Sequence, residues 1–379
     1  MALLEPSTPQ ELAGIVAQAT EPFELVGLGS KRALGRPVQA AHTLDLSAFS
    51  GVIAYEPEEL ILEAGAATPM ADIDALLGAR GQQLAFEPPD LSHLLGSGCG
   101  SLGGVIACNL SGPRRLKAGA ARDHILGLHG VTGRGDLVKA GARVVKNVTG
   151  YDLPKLITGS HGTLMAMTSV IVKVLPAPET EQSLVIEGLS DADAVKAMSL
   201  AMQSPFEVSA AAHVPGEGTL LRLEGVAPSV NKRREELLAI MPVRTQVIGA
   251  DQSRARWRAI RDVEIFNNPR LVWRLSVTPS EAPAIMARIA TGADARWFYD
   301  WAGGLIWLDL PSTEDAHEAL VRGALTSGHA TLVRASASIR AGVDVFQPQA
   351  PALSALAARV KASFDPLGLF NPGRMDRSR

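Results

Sequence analysis

The chain has 379 residues, of which 46% are hydrophobic and 20% charged, so it is long enough to bury the cores of two or more domains. Its 36 Lys and Arg against 39 Asp and Glu leave a formal net charge of −3, without the basic excess typical of nucleic-acid-binding proteins. Cys99 and Cys108 lack the paired spacing of zinc or redox sites, so no metal is expected and both are predicted to be unpaired core residues.

The sequence begins MALLEPSTPQEL, which has no basic leader before a long apolar run. No stretch of about 18 uninterrupted apolar residues occurs further along the chain. These features predict a cytoplasmic protein, and any attachment to the inner face of the cell membrane is expected to be made through partners.

The first half alternates short apolar runs with glycine-rich turns. Thr8-Pro9 and Thr68-Pro69 each predict the start of a helix, because Thr can cap and Pro suits the first helical position. A strand is predicted over FELVGLG, a hairpin over HILGLHGVTGRGDLVKAG and a final strand over MAMTSVIVKVLP. The interruption LPAPETE then predicts the end of a first domain, which spans residues 1–178.

The second half has a different rhythm, in which the order βαββαβ occurs twice. The first copy runs from SLVIEGL to RTQVIG and the second from LVWRLSV to ATLVRA, with an Arg-rich helix between them. Two such units in series predict one antiparallel sheet with helices on one face, over residues 179–335. Residues 336–379 are predicted to form a C-terminal helix and a Pro/Gly-rich tail that returns to the first domain.

Three glycine-rich loops in the first half are the main chemical signal: GLGSKRALG, GSGCGSLGG and GYDLPKLITGSHGTL. Glycine allows successive backbone N–H groups to approach an anion, and two of the loops adjoin predicted helix starts. A single loop of this kind is often an ordinary turn, whereas three in one domain favour a large phosphorylated ligand.

Residues 98–103 formally fit G-x-G-x-x-G, but EPPDLSHLL before them is a poor strand, and no acidic residue follows at the required place. The dinucleotide fingerprint of NAD enzymes is therefore excluded. GLGSKRALG also lacks the G-K-[ST] of a P-loop.

Taken together and in this order, these segments resemble the FAD-binding domain of the vanillyl-alcohol-oxidase type, also called PCMH-type. The resemblance covers roughly residues 8–176, and the tail FDPLGLFNPGRM is similar to that family's closing motif. It implies an α+β fold with a two-subdomain FAD-binding domain and an antiparallel-sheet cap made of the two βαββαβ units. Within the family, RVVKNVTGYDLPKL and the small cap are most similar to the small FAD-binding subunits of three-part glycolate oxidase complexes.

The resemblance implies FAD as the cofactor and assigns it a set of residues in this chain. These residues are Gly27, Gly29, Ser30, Lys31, Gly98, Gly100, Ser101, Gly103, Gly104, Asn109, Ser111, Gly112, Asp123, Gly150, Tyr151, Asp152, Gly162 and Ile171. Covalently flavinylated members carry a histidine in the first loop, where this chain reads Gly29-Ser30-Lys31-Arg32, so the FAD is expected to be non-covalent. Lys146 and Asn147 lie in the same stretch, where they could contact the cofactor or donate hydrogen bonds to neighbouring carbonyls and so shape their loop. The sequence favours neither of these two roles.

The resemblance further implies partners: a larger FAD-binding glycolate oxidase subunit and an iron–sulfur subunit that takes electrons towards a quinone. Two alternatives stay open, a flavin-binding or flavin-free scaffold subunit without its own turnover, and a stand-alone FAD oxidase of another small alcohol or hydroxy acid. No catalytic residue is assigned, because the His-rich G-D-G-N-x-H type segment of hydroxy-acid-oxidising members is absent from the sequence.

Residues of the cap offer weaker signals. The isolated His213, His317 and His329 are expected to be surface or structural histidines. The strand arginines are candidates for clamping a carboxylate or for an exposed face of the sheet: Arg222, Arg274 and Arg334. The aromatic residues of WFYDWAGG are expected to pack in the core.

Overall fold

The computed structural model describes residues 2–143, 151–241 and 244–376. The chain divides into two compact units. The first comprises Met1–Leu110, Gly119–Ala177 and Pro348–Arg379, and the second comprises Ser111–Ala118 and Pro178–Gln347.

The strands are β1 Ala2–Leu4, β2 Phe23–Val26, β3 His42–Asp45, β4 Val52–Glu56, β5 Ile61–Gly65, β6 Gln82–Gln83, β7 Ile125–Thr132, β8 Leu137–Gly141, β9 Met165–Lys173, β10 Leu175–Pro176, β11 Thr180–Ile186, β12 Ala210–Val214, β13 Gly218–Gly225, β14 Thr245–Ile248, β15 Leu271–Ser276, β16 Arg296–Asp300, β17 Leu305–Leu310 and β18 His329–Arg334. The helices are α1 Pro9–Ala17, α2 Met70–Gly78, α3 Ser92–Leu95, α4 Leu102–Cys108, α5 Arg115–Ala118, α6 Ala121–His124, α7 Leu153–Ile157, α8 Asp191–Gln203, α9 Ala227–Ile240, α10 Ala250–Arg261, α11 Ala282–Ala290, α12 Glu318–Gly323, α13 Ala337–Gly342 and α14 Pro351–Phe364. Short 3₁₀ turns occur at Pro279–Glu281 and Trp301–Gly303.

The first unit contains a small parallel sheet, ordered β1-β3-β2, and a five-stranded antiparallel sheet, ordered β4-β5-β9-β7-β8. The short strands β10 and β6 pair separately. The helix predicted at Thr8 is confirmed, because the Thr8 side chain accepts a hydrogen bond from the N–H of Glu11 at the start of α1. The hairpin of β7 and β8 is likewise confirmed.

The second unit is an eight-stranded antiparallel sheet ordered β14-β11-β13-β12-β16-β17-β15-β18. Its elements follow βαββαβ twice, as predicted. Alternation along β11 places Leu184 in the main core, whereas Ser183 accepts a hydrogen bond from Trp257 of α10 on the opposite face. The Arg-rich helix between the two repeats therefore covers part of the sheet face that the other helices leave open.

Residues 111–118 group with the second unit although they lie in the middle of the first in sequence. Arg114 donates to the buried carboxylate of Glu224 with an Nε–Oε2 distance of 2.9 Å, and the Trp301 indole donates to the Gly112 carbonyl at 3.0 Å. These two links hold the segment on the sheet. Residues 336–347 also group with this unit, and Val345 is buried in its core.

Among the described residues, no helix combines the length and apolar character needed to cross a bilayer. Both cysteines are free. The prediction that both are core residues is wrong for Cys99, which is exposed in the loop before α4, because that loop is glycine-rich and packs few side chains.

Candidate cofactor site

The candidate site is a cavity in the first unit with about 790 Å³ of empty space, counting the part open to solvent. Its wall is made by the end of β2 and the loop after it, by α4, by residues at the start of β9, and by two residues of the C-terminal tail. The residues of this wall are therefore the candidates for contact with a cofactor.

The loop Gly27–Lys31 supplies the most suitable hydrogen-bond donors. Gly29 has a φ of +74°, a left-handed conformation that residues with a Cβ rarely adopt, and it turns the chain directly after β2. Within the described residues, the backbone N–H groups of Gly27 to Lys31 donate to no protein acceptor. Successive N–H groups left available in a tight turn form an anion-binding nest.

The loop before α4 has a different role. Its helix is capped by Ser101, whose Oγ accepts from the N–H of Gly104 at 3.3 Å, while the N–H groups of Leu102 and Gly103 donate to the carbonyls of Thr68 and Ala66. A Cβ on Gly103 would lie 2.7 Å from the Ala66 carbonyl oxygen, so glycine is required there for packing. With these amides engaged, the segment shapes the wall and leaves anion binding to the first loop.

Three basic residues line the cavity: Lys31, Arg32 and Arg374. The Lys31 ammonium lies 3.1 Å from the Ser30 hydroxyl, and burial lowers the pKa of Lys31. Arg374 of the tail donates to the carbonyls of Arg32 and Leu34 at 2.9 and 3.0 Å. Burial also lowers the pKa of Arg374, although the carboxylate of Glu24 opposes that shift. A buried ammonium whose charged form is disfavoured gains stability when an anion is placed beside it.

Cys108 and His161 meet on the same wall, with 3.6 Å between Sγ and Nδ1. Burial raises the pKa of the Cys108 thiol to about 11, and burial together with Arg374 lowers the pKa of His161 to about 4. Both groups are thus neutral at pH 7. They leave the cavity with a net positive charge from its Lys and Arg side chains and provide no strong base.

The C-terminal tail closes one side of the site. Asn371 accepts from the N–H of Leu25 at 2.8 Å and donates to the His161 carbonyl at 2.9 Å. A Cβ on Gly162 would lie 2.7 Å from the Asn371 amide nitrogen, and Gly162 has a φ of +71°. Glycine at this position allows the tail to dock beside β2.

The structure brings eight of the residues predicted from the sequence together at this cavity: Gly27, Gly29, Ser30, Lys31, Ser101, Gly103, Gly104 and Gly162. Gly100 lies just behind them, where its Cβ would be 2.9 Å from the Lys31 ammonium, and Gly98 faces open space. Gly150, like Lys146 and Asn147, lies outside the described residues.

The other predicted residues occupy different positions. Asn109 accepts from the N–H of Arg122, Asp123 accepts from that of Ala120, and Asp152 caps α7. Those three side chains therefore shape turns. The remaining four residues do not line the cavity: Ser111 and Gly112 belong to the second unit, Tyr151 is 93% exposed and Ile171 is buried in β9.

The cavity is also lined by residues outside the predicted set, among them His161, Asn371 and Arg374. The last two belong to FNPGRM, which in the sequence is recognisable only as a closing motif. An Asn-Pro-Gly turn followed by Arg is a usable signal for a polar segment that docks on a loop. His161 has a signal of its own, because it lies in the third glycine-rich loop directly before the predicted Gly162.

The cap residues singled out above are mostly structural. Buried Arg222 lies over Trp257, with 4.7 Å from its Cζ to the ring centroid, and Arg334 donates to the Arg270 carbonyl. His213 is buried and lies 2.9 Å from the Thr219 hydroxyl, and His317 lies 3.1 Å from the Pro311 carbonyl oxygen. The structural role predicted for His213 and His317 agrees with these contacts.

The donor set fits the diphosphate of FAD. A nest of backbone N–H groups next to a buried lysine suits a phosphate anion.

Comparison with known proteins agrees with that chemistry. A family model described as "FAD binding domain" matches residues 1–141. Glycolate oxidase subunit GlcE of Escherichia coli (strain K12) is 34% identical over 93% of this chain and 92% of its own length. Glycolate oxidase subunit GlcD of Bacillus subtilis (strain 168) is 32% identical over 48% of this chain and 38% of its own length. A solved structure of an alkyldihydroxyacetonephosphate synthase is 14% identical, with a TM-score of 0.69 over 98% of this chain and 76% of that one, and shares the fold.

Proposed function

This chain belongs to the family of glycolate oxidase subunit GlcE, within the FAD-dependent hydroxy acid oxidases, and from that premise we propose that it is the FAD-binding subunit of a glycolate oxidase complex. In that complex it works with a larger FAD-binding subunit and an iron–sulfur subunit, towards which electrons from a 2-hydroxy acid are passed on their way to a quinone. The chain is an oxidoreductase whose cofactor is FAD.

The observation that carries the proposal is the available set of N–H groups from Gly27 to Lys31 at the cavity. When bound, FAD supplies the two-electron acceptor that oxidation of a 2-hydroxy acid to a 2-oxo acid requires. The protein's part at this site is to hold the diphosphate with those N–H groups and the Lys31 ammonium. The loop contains no histidine, which supports a non-covalent cofactor.

Onward electron transfer is assigned to a partner because of the cysteine count. An iron–sulfur cluster is held by four ligands, usually cysteines, and the whole chain has two. The iron–sulfur subunit named in the proposal would supply that cluster, and the quinone would accept the electrons from it.

One observation favours a second candidate, a subunit that binds FAD without oxidising substrate itself. The cavity is lined by no carboxylate side chain among the described residues, and its histidine, His161, has its pKa lowered to about 4. A group with so low a pKa is a weak general base at neutral pH. In this alternative, the larger flavin subunit oxidises the hydroxy acid and this chain relays electrons.

Adding glycolate without oxygen tests both candidates. In the assembled complex, the entire flavin absorbance is expected to bleach, because electrons reach the FAD of this chain. In the isolated chain, bleaching would assign substrate oxidation to this subunit, and an unchanged band would assign it the relay role. The proposal would be contradicted if a fraction of the flavin in the complex stayed oxidised and that fraction equalled the FAD bound by this chain.

A further inference from the structure

The C-terminal tail joins the small sheet of the first unit at the edge formed by β2. Residues 369–374 of the tail run beside this strand, where the N–H of Asn371 donates to the Phe23 carbonyl at 3.0 Å. Phe23 and Phe370 form a parallel bridge, which continues the parallel order of the sheet. Because β2 leads directly into the loop Gly27–Lys31, the tail is attached to the strand that carries the candidate nest.

The tail reaches this edge from a turn that is held by a buried charge. The Asp365 carboxylate is buried and accepts from the N–H groups of Leu369 and Phe370 at 2.9 and 2.8 Å. It also pairs with the Lys361 ammonium of α14, which donates to the Phe370 carbonyl at 3.0 Å. Hydrogen bonds to charged groups are stronger than those between neutral groups, so the tail enters the sheet edge in one fixed position.

Arg374 connects the two ends of the loop Gly27–Lys31. Its side chain is buried, and its Nη2 donates to the Glu24 carboxylate of β2, before the loop, at 3.0 Å. Its Nη1 donates to the carbonyls of Arg32 and Leu34, which follow the loop. One guanidinium group therefore spans the base of the loop.

The bonds that Arg374 makes act on the turns that set the shape of the loop. The N–H of Arg32 donates to the Gly29 carbonyl at 3.3 Å. The N–H of Leu34 donates to the Lys31 carbonyl at 3.0 Å. By holding the carbonyls of Arg32 and Leu34, the guanidinium fixes both turns. A nest that is ordered in advance binds its anion more tightly, because less conformational entropy is lost on binding.

Gly35 allows the tail to lie this close to the loop. It has a φ of +78°, and a Cβ there would lie 2.8 Å from the Arg374 Cδ and 2.9 Å from the Arg374 carbonyl oxygen. The same carbonyl accepts from the N–H of Arg36 at 2.9 Å. Residues 32–36 thus engage both the side chain and the backbone of Arg374, and undocking of the tail would break all of these bonds.

We propose that Arg374 is the positioning residue of the cofactor site and that docking of the tail segment 369–374 is coupled to FAD binding. The docked segment holds the N–H groups of Gly27–Lys31 in the shape that receives the diphosphate. By linkage, FAD stabilises the docked tail by the same free energy by which the tail strengthens FAD binding. The inference deepens the proposed function and rests on it for placing FAD at this loop.

The test is a titration of the apoprotein with FAD, followed by flavin fluorescence. Arg374→Gln is expected to bind FAD about tenfold more weakly, or worse, because it removes hydrogen bonds made by a charged group. Arg322→Gln is the matched control, since the Arg322 side chain is 12% exposed and donates to the carbonyls of Ala330 and Phe346 at 3.1 and 3.0 Å in the second unit. The control should lower the melting temperature and leave FAD affinity unchanged. Wild-type affinity in Arg374→Gln, or equal weakening by the control, would overturn the positioning role.

A second variant displaces the tail without removing its charge. Gly35→Ala places a Cβ against Arg374, so FAD binding is again expected to weaken. Gly81→Ala is its control, because Gly81 also has a positive φ, +61°, with nothing within 4 Å of its Cβ. The two substitutions impose a similar backbone strain, and equal FAD affinities of the two variants would count against the coupling.

Hydrogen exchange measured by mass spectrometry separates coupling from a purely structural role. The amides of Asn371 and Arg36 donate across the contact between the tail and the first half of the chain, so saturating FAD is expected to slow their exchange in the wild type. Exchange that FAD leaves unchanged would assign Arg374 to the fold alone. Neither measurement depends on flavin reduction, so failure of the proposed electron transfer would leave both outcomes unaffected.

Discussion

Gly104→Asp should remove FAD from this protein while leaving both units folded. The Cβ of the new side chain would lie 3.3 Å from the Ser101 Oγ and 3.5 Å from the Lys31 Cγ, a tight but tolerable fit. Its carboxylate would stand at the cavity wall beside Lys31, where it would repel the diphosphate and neutralise the ammonium. Like charges brought together in an interface cost several kcal/mol, so FAD should bind at least about a hundredfold more weakly.

Absorbance at the flavin band and FAD titration of the purified variant provide the measurement. Gly249→Asp is the control, because it adds the same charge in the second unit with nothing within 4 Å of its Cβ, directly before α10, where Asp is a favourable cap. Full flavin content in Gly104→Asp, with the control also unchanged, would show that the diphosphate lies elsewhere.

Glu224→Ala should destabilise the second unit by about 3–5 kcal/mol, the usual cost of removing one partner from a buried ion pair. Glu224 accepts from the Arg114 side chain, and its carboxylate lies 3.4 Å from the Nε of Arg222, which is 1% exposed. Without the carboxylate, Arg222 would keep a buried charge with a weaker set of partners. The segment 111–118 would also lose one of its links to the sheet.

Chemical denaturation of the variant provides the measurement, with Glu217→Ala as the control. Glu217 pairs with Arg256 at 2.9 Å, but both side chains are more than 40% exposed, so this change should cost less than about 1 kcal/mol. Equal effects of the two substitutions would contradict the assigned role of Glu224.

The same buried carboxylate predicts a pH dependence. Burial alone would raise the pKa of Glu224, but Arg222 and Arg114 outweigh it and lower the pKa to about 2. A carboxyl whose pKa is lowered in the folded state stabilises the protein above its ordinary pKa of 4.5, and that contribution is lost as the pH falls towards 2. The isosteric variant Glu224→Gln should therefore lose less stability than the wild type over this range, as denaturation at a series of pH values would measure.

Features that depend on local sequence were predictable here. The Thr8 and Ser190 side chains cap the helices that follow them, and the period-2 and helical patterns of the second half repeat in an order that specifies one antiparallel sheet. Gly29 follows a strand in a glycine-rich loop, so its participation in an anion-binding turn could be predicted from neighbouring residues.

Features that depend on distant residues were not predictable. The position of 111–118 follows from Glu224, more than 100 residues later, whose buried charge requires a cation. Arg374 is held beside the first loop by hydrogen bonds to the carbonyls of Arg32 and Leu34. The contacts of Arg115 and Arg274 with the Trp301 ring likewise bring together three separate segments of the chain. In a single sequence, such pairings leave no periodicity or spacing to detect.

The central claim, a non-covalent FAD held at the loop Gly27–Lys31, is tested most directly by the visible absorbance spectrum of the purified chain before and after acid precipitation. We expect a flavin band that passes entirely into the acid supernatant. If FAD is lost during purification, added FAD should restore the band. A band that remains with the precipitate would contradict the non-covalent linkage, and a chain that acquires no band even with excess FAD would contradict the site itself.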